Sequence, residues 1–256
     1  MVSYFLSDIH LKSLDEKSSR LLLLFLEETW AQEPGDIYLL GDIFDIWVSN
    51  HSFFKKKYKP LIDQFRTVKD KGFRVVYFEG NHDLHLKRFW KDELGFEVYF
   101  DVEYFSIDAL VFRLEHGDLI NLEDQAYQRL RRVLRTDWML MLGYWLPGRF
   151  WNWFGEKWSH TSRRMSDVYQ EDRKNAILNM IRNHAQKAVD EKYFDVIVTG
   201  HMHIKDDFTF QSKNGKSVRS INLGSWLDVP KILKYKDGTF TWIDPVSATE
   251  TRPQNS

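Results

Sequence analysis

The chain is predicted to be an α/β protein with two packed β-sheets flanked by helices and a helical insertion in its second half. Three observations predict this. In the first half, short apolar runs of strand length are separated by helix-length segments, the pattern of βαβ units. In the second half, Asn214-Gly215 and Asp237-Gly238 mark two hairpins, so this part is expected to be more antiparallel. Finally, five apolar runs stop abruptly at Asp, His or Asn, several beside a glycine that lets the backbone turn sharply. Residues at the carboxyl ends of such strands sit where α/β folds place their ligand sites.

The elements follow in order. Tyr4-Phe5-Leu6 runs into Ser7-Asp8-Ile9-His10. Ser13-Leu14-Asp15-Glu16 can cap a helix whose leucines, Leu21 to Leu24, pack on the sheet. Ile37-Tyr38-Leu39-Leu40 ends at Gly41-Asp42, followed by Phe44, Asp45 and Trp47. A second helix is expected from about Tyr58 to Lys71, with Leu61, Phe65 and Val68 on one face. It leads to the strand Arg74 to Glu79 and the turn Gly80-Asn81-His82-Asp83. Phe96 to Phe105, rich in aromatics and valine, is expected to be one strand. Leu110 to Leu114 delivers Glu115-His116-Gly117-Asp118, and Asp195 to Thr199 delivers Gly200-His201-Met202-His203. Taken singly, each junction is an ordinary strand-to-turn step, and a lone histidine is more often a satisfied polar group than a ligand. Five together, all bearing metal-ligand side chains, are hard to obtain by chance.

Between His116 and His201 lies a stretch that the sheets do not need. Asp124 to Arg132 and Trp138 to Pro147 come first, then Phe150, Trp151, Trp153, Phe154 and Trp158, then a polar helix from about Ser166 to Lys192. Its aromatics can simply pack among themselves. The sharper reading is a lid whose apolar face meets lipid, bordered by Arg131, Arg132, Arg135, Arg149, Arg163 and Arg164.

Composition bounds the function. The 256 residues suit one domain over 1–245, with the insertion at about 121–190 and a disordered tail over 246–256. With no cysteine, disulfides, thiolate metal sites and thiol nucleophiles are excluded, so any metal must sit on oxygen and imidazole. A formal net charge of -1 provides no global attraction for nucleic acid, which is not expected as a partner. The first strand begins almost at once, so no secretory signal is expected, and no apolar run reaches the roughly twenty residues of a spanning helix.

The ordered series Asp-x-His, Gly-Asp, Gly-Asn-His-Asp, His-Gly-Asp and Gly-His-x-His resembles the calcineurin-like metallophosphoesterases over roughly residues 1 to 230. The resemblance implies a four-layer α/β-β/α sandwich holding two divalent cations. Asp8, His10, Asp42 and His203 would hold one; Asn81, His116, His201 and again Asp42 would hold the other. Manganese is the expected metal, with iron or zinc the alternatives. Two such ions, roughly 3.5 to 4 Å apart, lower the pKa of a shared water and aim it at phosphorus. His82 would be the catalytic histidine, oriented by Asp83. Within the family, His116-Gly117-Asp118 followed by Asp124-x-x-Tyr127-Gln128 resembles the UDP-2,3-diacylglucosamine diphosphatases of lipid A biosynthesis. These usually carry Asn-Arg-Asp where this chain has Asn81-His82-Asp83. The implied reaction is cleavage of that lipid-linked nucleotide to UMP and a lipid monosaccharide phosphate, by an enzyme peripheral on the cytoplasmic face of the inner membrane. Asp124, Tyr127, Arg131, Arg163 and Arg164 are the candidate substrate-binding residues. A phosphodiesterase or phosphatase acting on a soluble nucleotide, and a metal-free scaffold of the same fold, remain the alternatives.

Overall fold

Alternating side chains on the buried strands decide how the chain layers. In β1 (Val2–Leu6), β2 (Asp36–Leu39) and β4 (Arg74–Phe78), the residues Tyr4, Leu6, Ile37, Leu39, Val75 and Tyr77 join one core. Their neighbours Phe5, Tyr38, Val76 and Phe78 join a second. The structure, a computed structural model, describes residues 1–245 except 30, 31, 33, 123, 148, 149 and 151–170.

The first core lies under α1 (Lys17–Thr29), α2 (Ser52–Lys57) and α3 (Lys59–Asp70), whose Leu22, Leu26, Phe54, Leu61, Phe65 and Val68 are buried there. Tyr58 precedes α3 and Pro60 occupies its first turn, where a missing N–H costs nothing. The second core is sealed by another sheet, containing β8 (Leu110–Leu114), β9 (Val196–Thr199) and β11 (Ser217–Asn222), through Phe112, Leu114, Val196, Val198 and Ile221. The outer face of that sheet packs on α6 (Glu171–Glu191) through Ala185, Ala188 and Val189. The layers are therefore helix, sheet, sheet, helix.

The six-stranded sheet runs β13-β12-β1-β2-β4-β6 and the five-stranded one β10-β11-β9-β8-β7, with β6 (Glu97–Tyr99), β7 (Glu103–Ile107), β10 (Asp206–Gln211), β12 (Ile232–Lys236) and β13 (Thr239–Ile243) completing them. Both expected hairpins form, and Asp237 and Gly238 take φ of 50° and 79°, as a two-residue turn requires. The second half is, as expected, the more antiparallel, through β7–β8, β10–β11 and β12–β13. Within it β8–β9 and β9–β11 pair in parallel: α6 separates β8 from β9 along the chain, and β10 separates β9 from β11. The single strand expected over Phe96 to Phe105 is two. The chain leaves one sheet for the other at Phe100–Val102, which lets Tyr99 and Phe105 enter the same inter-sheet core.

A small parallel pair, β3 (Trp47–Val48) with β5 (Asp83–Leu84), lies beyond the carboxyl ends of β2 and β4. Of the expected insertion, α4 (Gln125–Leu134) and α5 (Asp137–Trp145) are described along with α6. Arg149, Trp151, Trp153, Phe154, Trp158, Arg163, Arg164 and the tail 246–256 lie outside the described residues. Exposed apolar side chains concentrate on α5, where Trp138, Met141 and Trp145 are 72%, 63% and 86% exposed. Leu146 just beyond packs against the first core.

Candidate metal centre

The loop after β1 runs beside the loop after β2, with Asp8 N donating to Gly41 O, His10 N to Asp42 O and Leu11 N to Ile43 O at 3.0 to 3.1 Å. Holding donors this close strains the chain. Asp8, His10, Asp42, His201 and His203 all take positive φ, between 50° and 64°, a region most non-glycine residues avoid. Gly41 is at φ 84° with the His116 ring packed where a Cβ would stand, and a Cβ on Gly80 would strike the Asp42 carboxylate. These two glycines let the ligand loops close.

The side chains converge as two adjoining donor sets. In the first, His10 Nε2 is 3.1 Å from His203 Nε2, 4.0 Å from Asp8 Oδ1 and 3.9 Å from Asp42 Oδ2, while His203 Nε2 is 3.3 Å from Asp8 Oδ1. In the second, His116 Nε2 is 3.6 Å from Asp42 Oδ2, 3.2 Å from Asn81 Oδ1 and 3.3 Å from His201 Nδ1, which is 3.0 Å from Asn81 Oδ1. Such spacings match ligands around cations bound at about 2.0 to 2.2 Å. Asp42 Oδ2 belongs to both sets, as a bridging ligand would.

Backbone groups occupy the atoms left over. Asp42 Oδ1 accepts from the amides of Asn81 and His82, both at 2.9 Å, and Asp8 Oδ2 accepts from the His201 amide at 2.9 Å. The remaining oxygen, Asp8 Oδ1, is buried and has no hydrogen-bond partner. His116 Nδ1–H donates to the Leu40 carbonyl at 2.7 Å, leaving Nε2 as a donor atom for a metal. An orphaned buried carboxylate oxygen, free imidazole nitrogens and an amide oxygen together fit hard-to-borderline divalent cations.

Charge is managed accordingly. Burial works to raise the Asp42 carboxyl, but His116, His82, His10 and His201 outweigh it and hold it well below the usual carboxylate range. Burial pushes His10 down to about 3 and His201 down to about 4. Burial would lower His116 too, yet the carboxylates of Asp42, Asp8 and Asp118 push it up to about 9. An imidazole pushed this high carries a proton at neutral pH. Loading the protein with a divalent cation at pH 7.5 is expected to release about one proton from His116, measurable in a pH-stat titration, since a ligand imidazole must be neutral. Uptake with no proton release would contradict this assignment.

His82 stands at the open side, its ring 4.9 Å from that of His10. Its Nδ1–H donates to the Asp45 carbonyl at 2.8 Å, which leaves Nε2 for the site. The expectation that Asp83 orients His82 is corrected. Asp83 is fully buried and accepts from the amides of Asp42, Gly80 and Ile43 and from the Tyr77 hydroxyl, at 2.6 to 3.0 Å. It ties the two metal-ligand loops together. Burial and the neighbouring Asp42 carboxylate push it up to about 7. Asp45 itself went unassigned in the sequence reading; its carboxylate lies within 4.8 Å of nitrogens on His10 and His82. The signal was present as the second Asp of Gly41-Asp42-x-x-Asp45.

The substrate-binding candidates are less uniform. Asp124 caps α4, accepting from the Tyr127 amide at 2.9 Å. The Tyr127 ring lies 5.8 Å from that of His201 and its hydroxyl donates to Asp118. The Arg131 guanidinium is engaged with Asp118 and Asp101. Arg163 and Arg164 are not among the described residues.

The model of the calcineurin-like phosphoesterase family matches residues 1–205 of this chain. The chain is similar to the UDP-2,3-diacylglucosamine hydrolase of Aliivibrio fischeri, at 24% identity over 94% of this chain and 97% of that one. It is likewise similar to the enzyme of that name from Neisseria gonorrhoeae, at 26% identity over 95% and 98%. Among solved structures, zinc-complexed Vps29 from Entamoeba histolytica aligns with a TM-score of 0.43 at 13% identity, over 95% of this chain and 97% of that one.

Proposed function

The chain belongs to the calcineurin-like phosphoesterase family and is a metal-dependent hydrolase; from that premise we propose that it cleaves UDP-2,3-diacylglucosamine to 2,3-diacylglucosamine 1-phosphate and UMP. The observation that carries the hydrolytic reading is the meeting of two donor sets at Asp42 Oδ2. The substrate reading is supported by relatives named for that substrate over nearly their full length, and by the exposed apolar face of α5. Asp8, His10, Asp42 and His203 would hold one cation and Asn81, His116, His201 and Asp42 the other, and manganese is the metal we propose. When bound, the cations supply Lewis acidity and a water of lowered pKa.

The chain's own residues do the rest. Asp83, beneath the ligands, keeps Asp42 and Gly80 at fixed separation. Asp42 Oδ1 is pinned by two amides, so its other oxygen cannot rotate away. His82, with Nδ1 held by Asp45, presents Nε2 to the oxygen that departs as the P–O bond of the diphosphate breaks, and protonates it or stabilises its charge. The direct test is a product assay: manganese-loaded protein is expected to release UMP from UDP-2,3-diacylglucosamine. Hydrolysis of bis-p-nitrophenyl phosphate without release of UMP would favour a soluble phosphoester substrate instead.

We place the enzyme on the cytoplasmic face of the inner membrane, where its lipid substrate lies. No helix among the described residues is long and apolar enough to cross a membrane. The acyl chains and bilayer surface are assigned to α5 within a lid over about 121–190. Changing Trp138, Met141 and Trp145 together to Ala is expected to raise KM for the diacylated substrate on the order of tenfold or more and to weaken liposome binding. Turnover of bis-p-nitrophenyl phosphate should stay near that of the unaltered protein. Equal losses on both substrates would make α5 structural support.

A further inference from the structure

Helix α4 stands beside the metal-ligand loops, yet none of its residues is buried, and a helix this short is marginal by itself in water. What holds it is polar. Asp118, two residues past His116, is 6% exposed, and its Oδ2 accepts from Arg131 Nε at 2.6 Å and from the Tyr127 hydroxyl at 3.1 Å. Arg135 Nη2 lies 3.8 Å from the same oxygen. Arg131 Nη2 also donates to Asp101 Oδ1 at 2.9 Å, so its guanidinium is divided between two carboxylates. Further ties among the described residues are Arg131 Nη2 and Arg135 Nη1 to the Phe100 carbonyl, Arg135 Nη1 to Asp101 Oδ1 at 3.7 Å, and His85 Nε2 to the Leu134 carbonyl. With α4 so placed, the Tyr127 ring rests against the metal-ligand candidate His201.

The geometry points to Asp118 as a positioning residue that clamps α4 beside the metal ligands, with Arg131 acting through Asp118 rather than on the substrate. A buried carboxylate gathering arginines and a tyrosine is costly to disrupt, because removing one partner leaves the others desolvated and unpaired. The clamp sets how α4 borders the site, and hence the fit of a large substrate, without supplying a metal ligand. This role rests on the phosphoesterase reading of the adjoining site; the clamp itself is a matter of the contacts above.

The test uses the full chain loaded with manganese, as Asp118→Asn, Arg131→Gln and the double variant. Amide hydrogen exchange of α4 is expected to speed up on the order of tenfold or more in Asp118→Asn while α1 and α3 keep their rates. KM for UDP-2,3-diacylglucosamine should rise on the order of tenfold in each single variant, and the double variant should exceed the worse single by less than about twofold. Manganese content should not change. Unaltered α4 exchange in Asp118→Asn overturns the clamp, and so does loss of manganese, which would make Asp118 a support for His116. Single effects that multiply in KM overturn the role of Arg131 and put it on the substrate. If the unsubstituted protein does not turn over UDP-2,3-diacylglucosamine, the substrate reading fails while the exchange comparison still decides the clamp.

Discussion

Asp42→Asn is expected to lower turnover on the order of 10³- to 10⁴-fold and to leave fewer than two metals per chain, because Asp42 Oδ2 alone faces both donor sets. Metal catalysis supplies several kcal/mol of charge stabilisation, and each 1.4 kcal/mol or so is tenfold in rate. The asparagine keeps an oxygen for the amides of Asn81 and His82 and tolerates the φ of 54° that the turn imposes. Asp42→Ala loses both advantages. It leaves two amides without their acceptor, at a cost of about 1 to 3 kcal/mol, and should melt several degrees lower than the asparagine variant. Metal analysis beside a melting curve separates the two effects. Two metals and undiminished turnover in Asp42→Asn would remove the bridging assignment.

His82→Ala should retain both metals and lose on the order of 10² to 10⁴ in kcat, the usual range for a positioned acid or charge stabiliser. Its ring stands outside the two donor sets, with Nδ1 committed to the Asp45 carbonyl, so removing it takes no ligand from either. The nature of the loss is readable from the leaving group. An acid that protonates the departing oxygen matters most when that oxygen is basic, so the loss should be large for a natural phosphoanhydride or alkyl ester and small for p-nitrophenolate. A loss independent of leaving group would assign His82 to charge stabilisation, and a fall in metal content would make it a ligand.

Much of this centre is legible in the chain. An apolar run cut short by Gly-Asp or Gly-Asn-His is a local feature: the run buries as strand, the glycine permits the turn, and the polar residue is left at the edge of the sheet. That is why Asp8, Asp42, Asn81, His116 and His201, from the turns after five strands of two sheets, are legible as site candidates in the sequence. The helix over Lys59–Asp70 and the hairpin at Asp237-Gly238 were legible for the same reason, since periodicity and turn chemistry act over a few residues.

What the sequence by itself determined, then, is the identity and order of the candidate metal donors, the layered α/β class and the resemblance to the phosphoesterase family. Tertiary structure alone decided the partners. Asp83 follows His82 in the chain, yet its carboxylate binds amides 40 and 41 residues earlier and the Tyr77 hydroxyl, leaving His82 to a carbonyl of Asp45. Arg131 looks like a free cation on an amphipathic helix, yet Asp118 and Asp101 claim it. Phe96 to Phe105 satisfies strand propensity throughout, yet it breaks where the chain changes sheets. In each case the deciding quantity is which buried group comes within about 3 Å of another, and a buried donor or charge takes whatever partner the packing of distant segments brings.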